Sequence, residues 1–168
     1  AMASVMAATY PEIYTAVGVH SGLPYRSATD VASAFTAMRG DAGLPGRQRK
    51  SRRASDHALR VRTIVFHGDV DHIVHPSNAA SIVGAAKEGE SIERAEARHT
   101  ASHAHTRTVT RDKTGKVVVE QWLIHGSGHA WSGGSRDGTY TDPQGPDASS
   151  EMLRFFLEER LELAGGLA

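Results

Sequence analysis

Two acidic residues follow a short apolar segment of the chain. Residues Thr63 to Phe66 are predicted to form a buried parallel strand, which runs into His67-Gly68-Asp69-Val70-Asp71. In open α/β sheets, ligands bind at the carboxyl ends of the strands, so this loop would present a carboxylate to a ligand. The alternative is structural, because an isolated aspartate after a strand often caps a turn or the following helix.

A histidine lies in a glycine-rich loop, Gly126-Ser127-Gly128-His129-Ala130, directly after the last predicted strand. Glycines on both sides let the backbone turn sharply and keep the imidazole accessible. A loop histidine on its own is usually a surface residue. Here, however, Asp71 precedes His129, which is the order of the acid and the histidine in the α/β-hydrolase sequence of nucleophile, acid and histidine.

The elements that would position these residues alternate between strands and helices. The strands are predicted at Thr15 to His20, Thr63 to Phe66, Thr106 to Arg111 and Lys116 to Leu123. The helices are predicted at Ala1 to Tyr10, Val31 to Met38, Ser77 to Lys87 and Ser149 to Leu163. The last helix is predicted to be capped by Asp147 or Ser149 and to have an apolar face that consists of Met152, Leu153, Phe155, Phe156, Leu157 and Leu161. Asp112 to Gly115 is predicted as a hairpin turn. The pattern predicts an α/β fold with a mostly parallel sheet, helices on both faces and a hairpin near the last strand.

Composition narrows the classes of function. The 168 residues are the size of one domain, and 19 basic residues balance 19 acidic ones, so charge predicts neither a nucleic-acid nor a membrane partner. The basic run Arg47 to Arg53 is interpreted as a solvated loop within a surface segment, Gly40 to Ser55. The absence of cysteine excludes disulfides, thiolate metal ligands and a cysteine nucleophile. No apolar run approaches the roughly 20 residues of a membrane helix, and the first residues lack the features of a signal peptide.

Three histidines, His99, His103 and His105, are close enough in sequence to suggest a shared metal ion. A His-x3-His spacing places two ligands on one face of a helix, but Thr100 to Ser102 form a weak helix. No carboxylate or cysteine completes a tetrahedral set. We therefore expect neither a metal nor another cofactor.

Four segments give the chain a resemblance to the poly(3-hydroxybutyrate) depolymerase family of esterases, which are kin of feruloyl and acetyl-xylan esterases. In family order they are Ala1-Met2-Ala3 through Ala7-Ala8-Thr9-Tyr10-Pro11, Ala16-Val17-Gly18-Val19-His20-Ser21-Gly22-Leu23, His67-Gly68-Asp69-Val70-Asp71-His72-Ile73-Val74 and Gly128-His129-Ala130-Trp131-Ser132-Gly133-Gly134. They are spread over most of the chain, although nothing specific matches from Ala37 to Arg60. The resemblance implies that residues 1–168 are the C-terminal part of one α/β-hydrolase catalytic domain.

The resemblance also implies roles for two residues. His129 would accept the proton of a serine nucleophile and return it to the leaving alcohol, and Asp71 would fix the imidazole, with an acyl-enzyme as intermediate. Family members carry that serine in a Gly-x-Ser-x-Gly elbow upstream of the position of Ala1, and the oxyanion hole also comes from upstream. The chain has no Gly-x-Ser-x-Gly sequence. It is therefore predicted to supply the acid and the histidine only, and to be inactive alone.

Further residues are candidates at the site. Asp69 is the rival of Asp71, and the family pattern favours Asp71. Trp131 would either line the acyl or alcohol pocket or pack against the histidine loop. Ser21 and Leu23 end the first strand at the same edge and are candidates for substrate binding, with packing as the alternative.

Two other classes of function remain open at this point. One is a non-catalytic binding or assembly fragment of a split or degenerate hydrolase, and the other is a serine peptidase of the prolyl-oligopeptidase type. The expected partners are an ester substrate (a hydroxyalkanoate oligomer, a feruloyl ester or a short acyl ester) and the N-terminal half of the same domain, with pairing of two copies as an alternative. The resemblance favours a secreted or periplasmic protein over a cytoplasmic one.

Overall fold

A five-stranded sheet forms the centre of the fold. The computed structural model describes residues 1–40, 61–86, 91–99 and 102–165, so the basic run Arg47 to Arg53 and nearly all of the predicted surface segment lie outside the described residues. The sheet contains β1 (Ala16–His20), β2 (Arg62–Gly68), β3 (Ser91–His99), β4 (Ser102–Arg111) and β5 (Val117–Ile124). A short parallel pair is formed by β6 (Trp131–Ser132) and β7 (Thr141–Asp142). The helices are α1 (Met2–Thr9), α2 (Val31–Met38), α3 (Ser77–Ala86) and α4 (Ala148–Gly165).

The strand order is β1-β2-β5-β4-β3. Strands β1, β2 and β5 are parallel, whereas β4 is antiparallel to both of its neighbours, β5 and β3. All seven residues of β2 are buried, as expected for a central parallel strand covered on both faces. The prediction of an α/β fold with a mostly parallel centre, flanking helices and a hairpin is confirmed. It is consistent with part of an α/β-hydrolase-like fold.

Alternate side chains of β2 build two separate cores. Phe66 and Ile64 pack with Met152 and Phe155 of α4. On the other face, Val65 packs with residues of α3, including Ile82. Because successive side chains of a strand point to opposite faces, one short apolar segment holds a helix on each side of the sheet.

The predicted hairpin turn at Asp112 to Gly115 is confirmed. The Asp112 carboxylate accepts hydrogen bonds from the backbone amides of Thr114 at 2.8 Å and Lys116 at 3.1 Å. Gly115 has a φ of 87°, a conformation that favours glycine.

Strand β3 was not predicted from the sequence. Ile92 and Glu93 are both exposed, because β3 is the last strand in the sheet order. A strand with little burial has no alternation of apolar and polar residues by which to recognise it.

Helix α4 is capped as expected, but its apolar face is narrower than predicted. Asp147 accepts hydrogen bonds from the amides of Ser149 at 3.0 Å and Ser150 at 3.1 Å. Met152 and Phe155 are buried. The other predicted members of that face are exposed, namely Leu153, Phe156 and Leu157, while the side chain of Leu161 lies outside the described residues.

The carboxyl ends of β1, β2 and β5 meet at one edge of the sheet. His20 at the end of β1 is in register with Phe66, and Gly68 at the end of β2 is in register with Ile124. The loops that follow these three strands therefore lie side by side. Within the described residues, no helix is long and apolar enough to cross a membrane.

Candidate active site

Asp71 and His129 are brought together by the loops that follow β2 and β5. His129 Nδ1 lies 2.8 Å from Asp71 Oδ2. The Asp71 side chain is fully buried, whereas 36% of the His129 side chain is exposed. His129 Nε2 has no hydrogen-bond partner among the described residues. The geometry is that of an imidazole with one nitrogen held by a carboxylate and the other available to a reacting group.

Backbone amides of its own loop hold the Asp71 carboxylate. Oδ1 accepts hydrogen bonds from Ile73 and Val74, both at 2.9 Å. Burial opposes ionisation, but the bond from Val74, the contact with His129 and the bond from Ile73 together hold the pKa of Asp71 below its usual value. Asp71 is therefore ionised at neutral pH and able to stabilise a protonated His129.

The rival acid, Asp69, is engaged by a different histidine. Asp69 Oδ2 lies 2.8 Å from His125 Nδ1, and Asp69 Oδ1 accepts a 2.8 Å hydrogen bond from the amide of Gly126. His125 Nε2 lies 2.9 Å from the hydroxyl of Thr106. Both ring nitrogens of His125 are thus occupied, so this second aspartate–histidine pair has no free nitrogen to offer a substrate.

His67, the penultimate residue of β2, is buried and contacts the loop that carries Asp71. Its Nε2 donates to the carbonyl of Val74 at 2.7 Å and lies 3.5 Å from Asp71 Oδ2. The side chain is completely buried, and burial lowers its pKa despite the opposing effects of the Val74 carbonyl and Asp71. His67 is therefore a neutral group. Sequence reasoning assigned it no role.

His20, at the end of β1, was also missed. Its Nε2 accepts a 2.9 Å hydrogen bond from the amide of Ser132, three residues after His129. The imidazole stacks on Trp131 at 4.8 Å and on Phe66 at 5.9 Å between ring centroids. The signal available in the sequence was a polar residue at the carboxyl end of a predicted parallel strand.

The other residues predicted at the site occupy different environments. Trp131 is partly exposed, stacks on His20 and donates from Nε1 to Ser149 Oγ at 3.2 Å, so it has both a packing contact and a solvent-accessible surface. Ser21 is buried with a φ of 45°, and its hydroxyl has no partner among the described residues. Leu23 is half-buried.

Two serines close to His129 in sequence, Ser127 in its loop and Ser132 in β6, have hydroxyls that bind other groups. Ser132 Oγ donates to the carbonyl of Pro146 at 2.6 Å. Ser127 Oγ donates to Asp142 Oδ2 at 2.7 Å. Neither hydroxyl donates to His129, as the hydroxyl of an activated nucleophile would.

The histidines considered as metal ligands lie on a hairpin rather than a helix. His99 ends β3, with its side chain outside the described residues, and His103 and His105 lie on β4. His103 Nε2 lies 3.2 Å from Asp142 Oδ2, and His105 is buried 4.9 Å from the Trp122 ring. Among the described residues, no three His, Cys, Asp or Glu side chains are grouped closely enough to hold a metal ion.

A cleft of about 400 Å³ lies beside the histidine loop. Its lining includes Gly128 and Ala130, which flank His129, together with Arg136 and Asp142. The volume is within the range of small-molecule pockets. The side chain of His129 is not part of this lining, so the cleft lies beside the loop of His129 and does not include the imidazole.

Comparison with known proteins gave one informative likeness. No model of a protein family matches the chain. The chain is 28% identical over 151 residues to the poly(3-hydroxyalkanoate) depolymerase C of Paucimonas lemoignei, an alignment that covers 84% of this chain and 33% of that protein. The chain is distantly related to that depolymerase. It spans about a third of the length of this relative. The alignment supports the resemblance inferred from the four sequence segments as a distant relationship.

Proposed function

We propose that this chain supplies the acid and the histidine of a serine carboxylic ester hydrolase. The observation that carries the proposal is the 2.8 Å contact between His129 Nδ1 and the buried carboxylate of Asp71, with no partner for His129 Nε2 in the described part of the chain. The distant relationship to a poly(3-hydroxyalkanoate) depolymerase supports hydrolysis as the reaction.

In this reaction, His129 Nε2 takes the proton of a serine hydroxyl as the serine oxygen attacks the ester carbonyl. The tetrahedral intermediate collapses, His129 returns the proton to the leaving alcohol, and an acyl-enzyme remains. Water activated by His129 then releases the acid. Asp71 keeps a proton on Nδ1 throughout and stabilises the imidazolium that forms in each step.

The serine is proposed to come from an N-terminal segment of the same hydrolase domain. Support comes from the lack of a Gly-x-Ser-x-Gly sequence in the chain and from the engaged hydroxyls of Ser127 and Ser132. Among the described residues, β1 is the first strand in the sheet order, and its outer edge is where a further strand would pair. Residues 1–168 would then be the C-terminal part of the domain and inactive alone.

The proposed substrates are a hydroxyalkanoate oligomer, a feruloyl ester or a short acyl ester. The accessible surface of Trp131, two residues after His129, offers a flat apolar contact for the acyl or alcohol part. Ser21 and Leu23 are proposed as further contacts because they follow β1 at the same edge of the sheet.

The test is hydrolysis of p-nitrophenyl acetate and butyrate by residues 1–168 alone and by the full-length protein, by which we mean residues 1–168 together with the proposed N-terminal segment. His129→Ala and His125→Ala form a matched pair, because both histidines lie 2.8 Å from an aspartate, but of the two only His129 has a ring nitrogen without a partner among the described residues. We expect activity in the full-length protein only, lost in His129→Ala and retained in His125→Ala.

The other outcomes separate the alternatives. Activity of residues 1–168 alone that disappears in Ser21→Ala would make Ser21 the nucleophile and overturn the split arrangement. Activity towards prolyl peptides and not towards esters would favour the peptidase. A full-length protein inactive on both would leave the non-catalytic binding or assembly function.

A further inference from the structure

His20 joins the end of β1 to the loop that carries His129. Its Nε2 accepts the amide hydrogen of Ser132 at 2.9 Å, a contact between residues 112 positions apart in the chain. A backbone amide only donates, so Nε2 must be unprotonated and the proton of the neutral ring must lie on Nδ1. One tautomer of His20 is therefore compatible with the contact.

The plane of the His20 ring is fixed by aromatic contacts on β2 and in the histidine loop. Phe66 lies 5.9 Å away with its ring 6° from parallel, and Trp131 lies 4.8 Å away at 23°. The charged or titratable groups that interact with His20 are His67, His129 and Asp71. Burial and the two histidines lower the pKa of His20 to about 4, with Asp71 acting in the opposite direction.

Apart from the bond between Trp131 Nε1 and Ser149 Oγ of α4, the other hydrogen bonds of β6 run to residues close to β7 in sequence. Trp131 donates its amide to the carbonyl of Tyr140 at 2.7 Å, and Ser132 donates its hydroxyl to the carbonyl of Pro146 at 2.6 Å. Neither Tyr140 nor Pro146 lies on a strand of the five-stranded sheet. The hydrogen bond to His20 is the one of these contacts that reaches the central sheet.

We propose that His20 is a positioning residue that anchors the His129 loop to the sheet edge, by accepting the Ser132 amide hydrogen while its ring supports Trp131. This inference rests on the proposed ester hydrolase. It separates two roles: the acceptor at Nε2 places His129 for proton transfer, and the ring holds the Trp131 surface that contacts the substrate.

Two substitutions separate these roles. In His20→Gln, the side-chain oxygen replaces Nε2 as an acceptor, but the aromatic stack is lost. In His20→Phe, the stack remains and the acceptor is lost. We expect His20→Phe to lower kcat by about 10²-fold with little change in KM, since small displacements of a catalytic group have effects of that size. We expect His20→Gln to raise KM and to keep kcat within about tenfold of wild type.

The experiment measures kcat and KM of the full-length protein for p-nitrophenyl butyrate, and the NMR resonance of the His129 Nδ1 proton that faces Asp71. The resonance should persist in His20→Gln and broaden or disappear in His20→Phe. Equal losses in both variants, or a His20→Phe protein with wild-type kcat and an unchanged resonance, would overturn the proposal. If the wild-type protein is not an esterase, the proposed function fails while the resonance still decides the anchoring. If one variant does not fold, the kcat, KM and His129 resonance of the other variant are still compared with the results expected for it.

Discussion

His129 and Asp71 lie 58 residues apart in sequence and share a 2.8 Å contact between Nδ1 and Oδ2. The contact arises because β2 and β5 are adjacent and parallel, so the loops after both strands leave the sheet at the same edge. A second aspartate–histidine pair, Asp69 and His125, lies between the same two loops with the same distance. The two pairs differ in the second ring nitrogen, which is occupied in His125 and, among the residues that the structure describes, free in His129.

This difference predicts that two conservative substitutions change kcat to very different extents. Asp71→Asn removes the charge that stabilises protonated His129, and we expect kcat to fall by about 10⁴-fold, as in serine proteases. Asp69→Asn should change kcat by less than about tenfold, because His125 is not available to a substrate. Steady-state hydrolysis of p-nitrophenyl butyrate by the full-length protein measures both. A larger loss in Asp69→Asn would reverse the assignment of the acid.

A buried carboxylate on β5 predicts a large effect on stability. Glu120 is completely buried and accepts hydrogen bonds from Arg107 at 2.8 and 2.9 Å, from Arg154 at 2.6 Å and from Trp122 Nε1 at 2.7 Å. Burial alone would raise the pKa of Glu120, but the two arginines lower it below its usual value. Glu120→Ala leaves both guanidinium groups without this partner, and we expect a loss of about 3 kcal/mol in the free energy of unfolding.

The matched control for Glu120 is Glu151→Ala. Glu151 also binds Arg154, at 2.7 Å, but its side chain is 32% exposed. We expect a loss below about 1 kcal/mol, since solvent screens an exposed ion pair. Urea unfolding monitored by tryptophan fluorescence compares the two variants. Equal losses in the free energy of unfolding would show that burial does not increase the contribution of Glu120 to stability.

Gly68, at the end of β2, lies very close to Ser127 in the loop that carries His129. This close approach predicts that one added methyl group lowers stability. A Cβ on Gly68 would overlap the backbone carbonyl of Ser127. Gly68→Ala should therefore force the loops apart, with a loss of about 1–3 kcal/mol in stability and of most of the proposed esterase activity. Gly84, on α3, has open space at the same position, and Gly84→Ala should stabilise the helix by about 0.5–1 kcal/mol. Thermal unfolding that is unchanged in Gly68→Ala would contradict the contact.

The lowered pKa of His20 predicts a loss of stability in mild acid. Its usual value is 6.5, and in the folded chain it is about 4. Between these values the unfolded chain binds a proton that the folded chain does not, so stability falls as the pH is lowered from about 6.5 to about 4. The full contribution is about 3 kcal/mol. Protonation of His67, whose pKa is also lowered from 6.5, acts in the same direction over this range, whereas the contribution of Asp71, whose pKa is lowered from 3.8, is lost mainly at lower pH.

Urea unfolding between pH 7 and pH 4 checks this dependence. His20→Gln, which has no titrating group at this position, should show a shallower decline than wild type, while the part that comes from His67 remains. Identical declines in the two proteins would mean that His20 does not carry the effect.

The elements around the site were readable from the sequence where burial imposes a pattern. The apolar run of β2 and the Asp112 to Gly115 turn were both recognised, because burial on two faces and a positive φ each require particular residue types. Strand β3, the last in the sheet order, has no such requirement and was missed. Leu153 and Leu157 were expected in the core, and the structure leaves them exposed.

The partners within the site were less predictable. Asp69 and Asp71 lie in the same loop, and no sequence pattern from the residues themselves states which carboxylate meets which histidine. That choice depends on the path of the loops after β2 and β5. The contact of His20 with Ser132 spans 112 residues and depends on the register of three strands, so it follows only from the folded structure.

The most direct test of the central claim is covalent labelling of the full-length protein with a fluorophosphonate probe. The rate of labelling is measured in wild type, His129→Ala and His125→Ala, and the labelled residue is identified by mass spectrometry. We predict a single labelled serine outside Ser127 and Ser132, with a rate that falls by at least about 10³-fold in His129→Ala and is unchanged in His125→Ala. Labelling at the wild-type rate in His129→Ala, or no labelled serine in the wild-type protein, would contradict the account.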